Sequence, residues 1–85
     1  MTQQSFKARV FVTLKPSVFD PQGRTITEAL HSMGYGKVED VRQGKYFEIT
    51  LDGGLSREQA ETEVARIARE VLTNPVIEEF RYTLE

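Results

Sequence analysis

Side chains able to do covalent chemistry are scarce in this chain, and none keeps the company that a reaction needs. A serine or cysteine nucleophile works only beside an oriented base, and the sequence holds one histidine, His31, and no cysteine. His31 follows Leu30 on a helical register that predicts a surface or boundary position. The carboxylates Glu58, Glu61, Glu63 and Glu70 interleave with Arg57, Arg66 and Arg69, the pattern of a solvated, ion-paired helix face and not of a clustered metal site. Glu39-Asp40 and Glu78-Glu79 are neighbours on expected strands, where adjacent side chains point to opposite faces, so neither pair forms an acid and base couple. Gly53-Gly54 ahead of Ser56 lacks the lysine of a P-loop and the spacing of a dinucleotide fingerprint, and reads as a tight connection. The aromatic pair Phe11 and Tyr46 remains: rings on neighbouring strands can stack on a nucleic-acid base or on another protein.

The elements that position these residues follow from periodicity. Phe6 to Lys15 alternates, with Phe6, Ala8, Val10, Val12 and Leu14 on one side, which predicts a half-buried strand. Asp20-Pro21 reads as the N-cap and first position of a helix carrying Ile26, Ala29, Leu30 and Met33, closed by Gly34. A second strand is expected over Lys37 to Arg42, and Gln43-Gly44 as the turn into a third, in which Phe47, Ile49 and Leu51 alternate. Ser56 and Gln59 form a capping box for a second helix bearing Ala60, Val64, Ile67, Ala68, Val71 and Leu72. Asn74-Pro75 ends that helix, and a last strand is expected over Val76 to Leu84. The order is strand, helix, strand, strand, helix, strand. It predicts an α+β two-layer sandwich of the βαββαβ ferredoxin-like kind, a four-stranded antiparallel sheet with both helices on one face.

Composition bounds what such a fold does. Eighty-five residues close one core and make a single domain, 1–85, that hides only about 60–65% of its unfolded surface. At 39% hydrophobic and 28% charged, with a net charge of −2 and no block of like charge, the chain lacks the electrostatic footprint of a nucleic-acid binder. The absence of cysteine fits a reducing compartment, so a cytoplasmic location is expected. Met1-Thr2-Gln3-Gln4-Ser5 has neither a basic nor an apolar export region, and no apolar run is long enough to span a membrane. With helices on one face only, the face bearing Phe11 and Tyr46 stays open. That predicts pairing with a second copy, through the open face or a sheet edge.

Three segments resemble the PurS family. They are Val12-Thr13-Leu14-Lys15-Pro16 leading through Val18 to Asp20-Pro21-Gln22-Gly23, Val41-Arg42-Gln43-Gly44-Lys45-Tyr46-Phe47-Glu48, and Leu72-Thr73-Asn74-Pro75-Val76-Ile77-Glu78. With matching order and length they cover nearly the whole chain. The resemblance implies a non-catalytic adaptor subunit of phosphoribosylformylglycinamidine synthase, the ATP-dependent, glutamine-using ligase complex of de novo purine biosynthesis. Its partners are then a synthetase subunit, PurL, and a glutaminase subunit, PurQ. ATP and magnesium belong to the synthetase, and this chain carries no catalytic residue, cofactor or metal. Lys15, Asp20, Gln22, Arg42 and Lys45 are the expected partner contacts, with Phe11 and Tyr46 at the face between copies. Asp20-Pro21 and the glycines also have purely local readings as cap and turn. Two other classes suit the same architecture, a small-molecule regulatory module of the ACT-like kind and an RNA-binding sheet.

Overall fold

The protein is described by a computed structural model over residues 5–85; the expected lack of an export signal at residues 1–4 lies outside the described residues. The chain runs β1 (Phe6–Leu14), α1 (Pro21–Ser32), β2 (Gly44–Leu51), α2 (Arg57–Ile67) and β3 (Glu78–Leu84). The alternating β1 is the middle strand of an antiparallel sheet of order β2-β1-β3. Val10 lies opposite Phe47 on one side, and Val12 opposite Phe80 on the other. Because side chains alternate across a strand, this register puts Ala8, Val10 and Val12 on the same face as Phe47, Ile49, Leu51, Phe80, Tyr82 and Leu84.

α2 covers that face. Its N-cap Ser56 accepts a hydrogen bond from the Gln59 N–H at 3.1 Å, while the Gln59 side chain accepts the Ser56 N–H at 2.9 Å, closing the anticipated capping box. Ala60, Val64 and Ala68 recur at four-residue spacing and are fully buried, Val64 and Ala68 against Ala8, Val10 and Val12. Beyond Ile67 the helix widens into a π turn, Ala68–Leu72, before Thr73 becomes extended ahead of Asn74-Pro75. The turn packs Leu72 on the core and leaves Val71 exposed. The segment Asn74 to Ile77 is a turn, so β3 begins at Glu78 and not at Val76. Among the described residues no helix is long and apolar enough to cross a membrane.

α1 begins and ends as its residue types require. The Asp20 carboxylate accepts from the Gly23 N–H, Pro21 occupies the first turn, and Gly34 takes a left-handed φ of 99° after the last turn. Its location, however, corrects the four-stranded sandwich. α1 makes no extensive contact with the sheet or with α2, and the described chain has three strands. Residues 37–42 are not a strand. Four of these six residues, Lys37, Glu39, Asp40 and Arg42, are charged, and their backbone bonds to α1 in place of a sheet edge. The Val41 N–H donates to the Thr27 hydroxyl at 3.0 Å, which itself donates to the Gly23 carbonyl at 2.9 Å. A two-residue hairpin turn at Gln43-Gly44 needs positive φ, and Gly34 alone has it among the described residues, so the chain does not fold back there. α1 and its return segment therefore form an arm. The radius of gyration is 17.1 Å and the extents are 56 × 29 × 14 Å, against about 12 Å for a compact chain of this length.

The capping box is a separable contribution. Ser56→Ala should cost about 1 kcal/mol and lower the thermal midpoint by about 4–8 °C, measured by circular dichroism, with the sheet registers unchanged.

Candidate functional site

The chemistry-bearing polar residues meet at the joint where the arm leaves the sheet. Asp20 is buried, and its carboxylate is used twice. One oxygen accepts the Gly23 N–H at 3.0 Å, capping α1, and the other accepts the Gln43 N–H at 2.7 Å, pinning the end of the return segment to the start of the helix. Gln43 also donates from its side chain to Gln22 at 2.8 Å. Space is tight enough to require glycine at two positions. A Cβ at Gly23 would overlap the Val41 carbonyl oxygen, and one at Gly44 would stand 2.5 Å from that of Val12. The main-chain bonds to the Asp20 carboxylate from Gln43 and Gly23, helped by the Arg42 charge, hold its pKa below the usual carboxylate range.

Arg42 lies on the return segment, not at a strand end, and its guanidinium donates to the carbonyls of Lys15 at 2.9 Å and Val18 at 3.0 Å. It thereby holds the Lys15–Val18 turn that leads into the arm. The Lys15 N–H in turn donates to Ile77 at 2.8 Å, tying the turn to the approach to β3. On the sheet side, the Glu78 carboxylate accepts the Asn74 N–H at 2.7 Å and pairs with the Lys45 ammonium at 3.4 Å. Between the two carboxylates opens a cavity of about 180 Å³, floored by Val12 and Leu14 and walled by Asp20, Gln22, Gln43, Lys45 and Glu78. Asp20, Gln22 and Lys45 thus share one cavity, and Lys15 and Arg42 brace its outer side. Gln43, Thr27 and Glu78 belong to the same network and were not foreseen. A hydroxyl four places after Gly23 on the helix, in reach of its carbonyl, is the one sequence signal that could have pointed to Thr27.

Phe11 and Tyr46 lie elsewhere, on the sheet face away from α2. Their ring centroids are 5.1 Å apart, and the Arg81 guanidinium sits 5.0 Å over Phe11. Around them Tyr46 donates to Glu48 at 2.8 Å, Lys7 faces Glu48 at 4.0 Å, and Arg9 pairs with Glu85. Loss of water around the Tyr46 hydroxyl and the neighbouring Glu48 charge raise its pKa, and the Glu85 carboxylate raises that of Arg9. This face is a set of cross-strand pairs with a small aromatic centre, not an apolar patch. His31 bridges the arm: its Nε2–H donates to the Val38 carbonyl at 2.7 Å. No group of three or more histidine and carboxylate side chains able to hold a metal ion occurs among the described residues.

A three-stranded sheet with one covering helix, a projecting arm and a polar joint between them defines a small α+β protein. The family model PurS, described as phosphoribosylformylglycinamidine (FGAM) synthase, matches residues 7–85, and the chain belongs to the PurS family. It is 45% identical over 80 residues to the phosphoribosylformylglycinamidine synthase subunit PurS of Bacillus subtilis, covering 94% of this chain and 93% of the relative. The same subunit of Mycobacterium leprae is 40% identical over 79 residues, with 93% and 95% covered. A solved structure of B. subtilis PurS superposes with a TM-score of 0.83 at 45% identity, over 94% of this chain and 98% of that one. A chain in the structure of PurLQS from Thermotoga maritima superposes with a TM-score of 0.86 at 29% identity, over 96% and 99%.

The Asp20 bridge carries a pH signature. A carboxylate whose pKa falls on folding stabilises the native state above its unfolded value, about 3.9, and that contribution is lost as pH drops through the lower folded value. Protection of the Gln43 and Val41 amides, relative to their intrinsic exchange rates at each pH, should therefore be high at neutral pH and fall below about pH 4. In Asp20→Ala that protection should be low across the range while the amides of β1 keep theirs.

Proposed function

We propose that this chain is the non-catalytic adaptor subunit of the phosphoribosylformylglycinamidine synthase complex of de novo purine biosynthesis. In this reading it helps a glutaminase subunit, PurQ, dock on the ATP-dependent synthetase, PurL, so that ammonia passes between them. The observation that carries the reading is the match over nearly the whole chain, at up to 45% identity, to proteins named as subunits of that synthase, together with its superposition on a chain of PurLQS. The ligase activity then belongs to the complex, with ATP and magnesium on the synthetase and the chemistry on the partners. The chain acts as one domain in the cytoplasm.

Physical features support an adaptor role. An adaptor gains most from segments already held in their docking shape, because little conformational entropy is lost on binding. The Lys15–Val18 turn contains Pro16 and is braced by Arg42, and Asp20-Pro21 fixes the first turn of α1. Lys15, Gln22, Arg42 and Lys45 present polar groups around that frame, while Asp20 acts from beneath as the brace. Self-association is part of the same reading. Phe11 and Tyr46 offer one contact between copies, and the arm offers a second with more apolar surface. A base-stacking role for Phe11 gains nothing, since Tyr46 and Arg81 already occupy its surroundings.

The test is assembly. Gel filtration of the chain with the synthetase and glutaminase, in the presence of glutamine and magnesium-ADP, should give a ternary complex, and failure to form one contradicts the reading. The double variant Gln22→Ala/Lys45→Glu should weaken that complex on the order of ten-fold or more, as loss of one central contact does, with an unchanged circular dichroism spectrum. Undiminished assembly would remove the joint as the docking surface.

A further inference from the structure

The geometry points to a second docking surface on this chain: the free edge of β3, which takes up a short extended segment of another subunit as an added strand. The inference rests on the adaptor reading, since a chain that joins two proteins needs a surface for each and the polar joint supplies one. The first observation is which backbone groups of β3 face outward. Its register with β1 puts Val10 opposite Tyr82 and Val12 opposite Phe80. Lys7 and Glu85 exchange both main-chain bonds, and the Lys15 N–H donates to Ile77, which fixes the phase of the ladder. Bonded and unbonded pairs alternate between antiparallel strands. Glu79, Arg81 and Thr83 therefore bond to β1, while Glu78, Phe80, Tyr82 and Leu84 turn their N–H and C=O groups away from it.

The second observation is that both ends of this outward row are occupied and its middle is not. At the start, the Glu78 N–H donates to the Asn74 carbonyl at 2.7 Å. At the end, the Arg57 guanidinium, from the first turn of α2, donates to the Leu84 carbonyl at 2.9 Å. Between them the Glu78 carbonyl, both groups of Phe80 and of Tyr82, and the Leu84 N–H have no partner among the described residues. Unpaired edge groups are the template on which an incoming strand forms its ladder. The window faces Glu79 to Thr83, so it suits an extended segment of about five residues, roughly 16 Å long.

The third observation is a groove beside that window. Phe80, Tyr82 and Leu84 point to the α2 side of the sheet yet are only partly buried. A groove of about 540 Å³ lies between the outer face of α2 and the edge, lined by Thr62, Ala65, Arg66 and Arg69 on the helix and by Tyr82 on the strand. An added strand directs every second side chain to this side of the sheet. The occupant is therefore a segment with apolar side chains at alternate positions, which cover Ala65, the Tyr82 ring and the aliphatic stems of the arginines. A second copy's β3 would bring its own α2 to the same side. A helix is about 10 Å across, more than the groove holds along the window.

The test is amide hydrogen exchange, read against intrinsic rates, on the full chain alone and in its complex with the synthetase and glutaminase. Strand addition predicts that the Phe80, Tyr82 and Leu84 amides exchange freely in the isolated chain and gain protection on the order of ten-fold or more in the complex. Glu79, Arg81 and Thr83, bonded to β1, and Glu78, bonded to Asn74, should be protected in both states. Ala65→Arg, which fills the groove, should weaken assembly on the order of ten-fold with an unchanged circular dichroism spectrum. If that variant unfolds, Thr62→Arg, at an exposed position in the same groove, carries the test. A complex that lacks the alternating protection, or that tolerates the arginine, overturns this surface and leaves the adaptor reading standing. Protection of Phe80 and Tyr82 already in the isolated chain assigns the edge to a second copy and overturns it equally. Failure to form any complex overturns the adaptor reading, and this inference with it.

Discussion

Everything in this structure answers to the smallness of its core. Among the described residues the fully buried side chains are Ala8, Val10, Val12, Ala60, Val64 and Ala68, with nothing larger than valine. One helix over three strands supplies them. The bulkier residues Phe47, Phe80, Tyr82 and Leu84 sit at the margin, partly in water. Apolar burial contributes about 25 cal/mol per Å², so a core built from such short side chains stabilises the fold only weakly by itself. α1, which would double the covered area in a two-layer sandwich, contributes almost nothing to it.

Polar bonds do at the joint what packing does elsewhere. Asp20 connects the start of the arm to its end, Arg42 connects the end of the arm to the turn before it, and Glu78 connects β2 to the segment leading into β3. Bonds of this kind are directional. They fix where the arm points without needing a second apolar layer beneath it, and an ionised acceptor makes them stronger than neutral pairs. Gly23 and Gly44 let the backbones come close enough for those bonds to form. The result is a polar frame at the joint, with an apolar stripe on the arm and edge strands β2 and β3 flanking the sheet.

Local signals were legible in the sequence where they act locally. The alternation in β1, the Asp20-Pro21 start, the Gly34 stop and the Ser56–Gln59 box all stand in the structure as residue types alone imply. What failed was the assembly of those pieces. Residues 37–42 carry Val38 and Val41 among four charged residues, and that composition does not say where their backbone bonds go. Thr27 and His31 offered the segment hydrogen bonds nearer in sequence. The π turn at Ala68–Leu72 was equally hidden, since its residues suit an ordinary helix. Lys15, Asp20, Gln22, Arg42 and Lys45 were legible as a group through family resemblance, and the structure brings them to one joint. Their bonding was not legible, because Gln43 and Glu78 reach them from distant segments.

The central claim is that the folded unit is an assembly. If so, unfolding is coupled to dissociation, and stability depends on protein concentration. Thermal unfolding of the purified chain from 1 µM to 1 mM measures this directly (concentrations on the order of those that bracket a micromolar dissociation constant). The account predicts a midpoint that climbs steadily with concentration. A midpoint that stays constant across that range, with a monomer at every concentration, would contradict it.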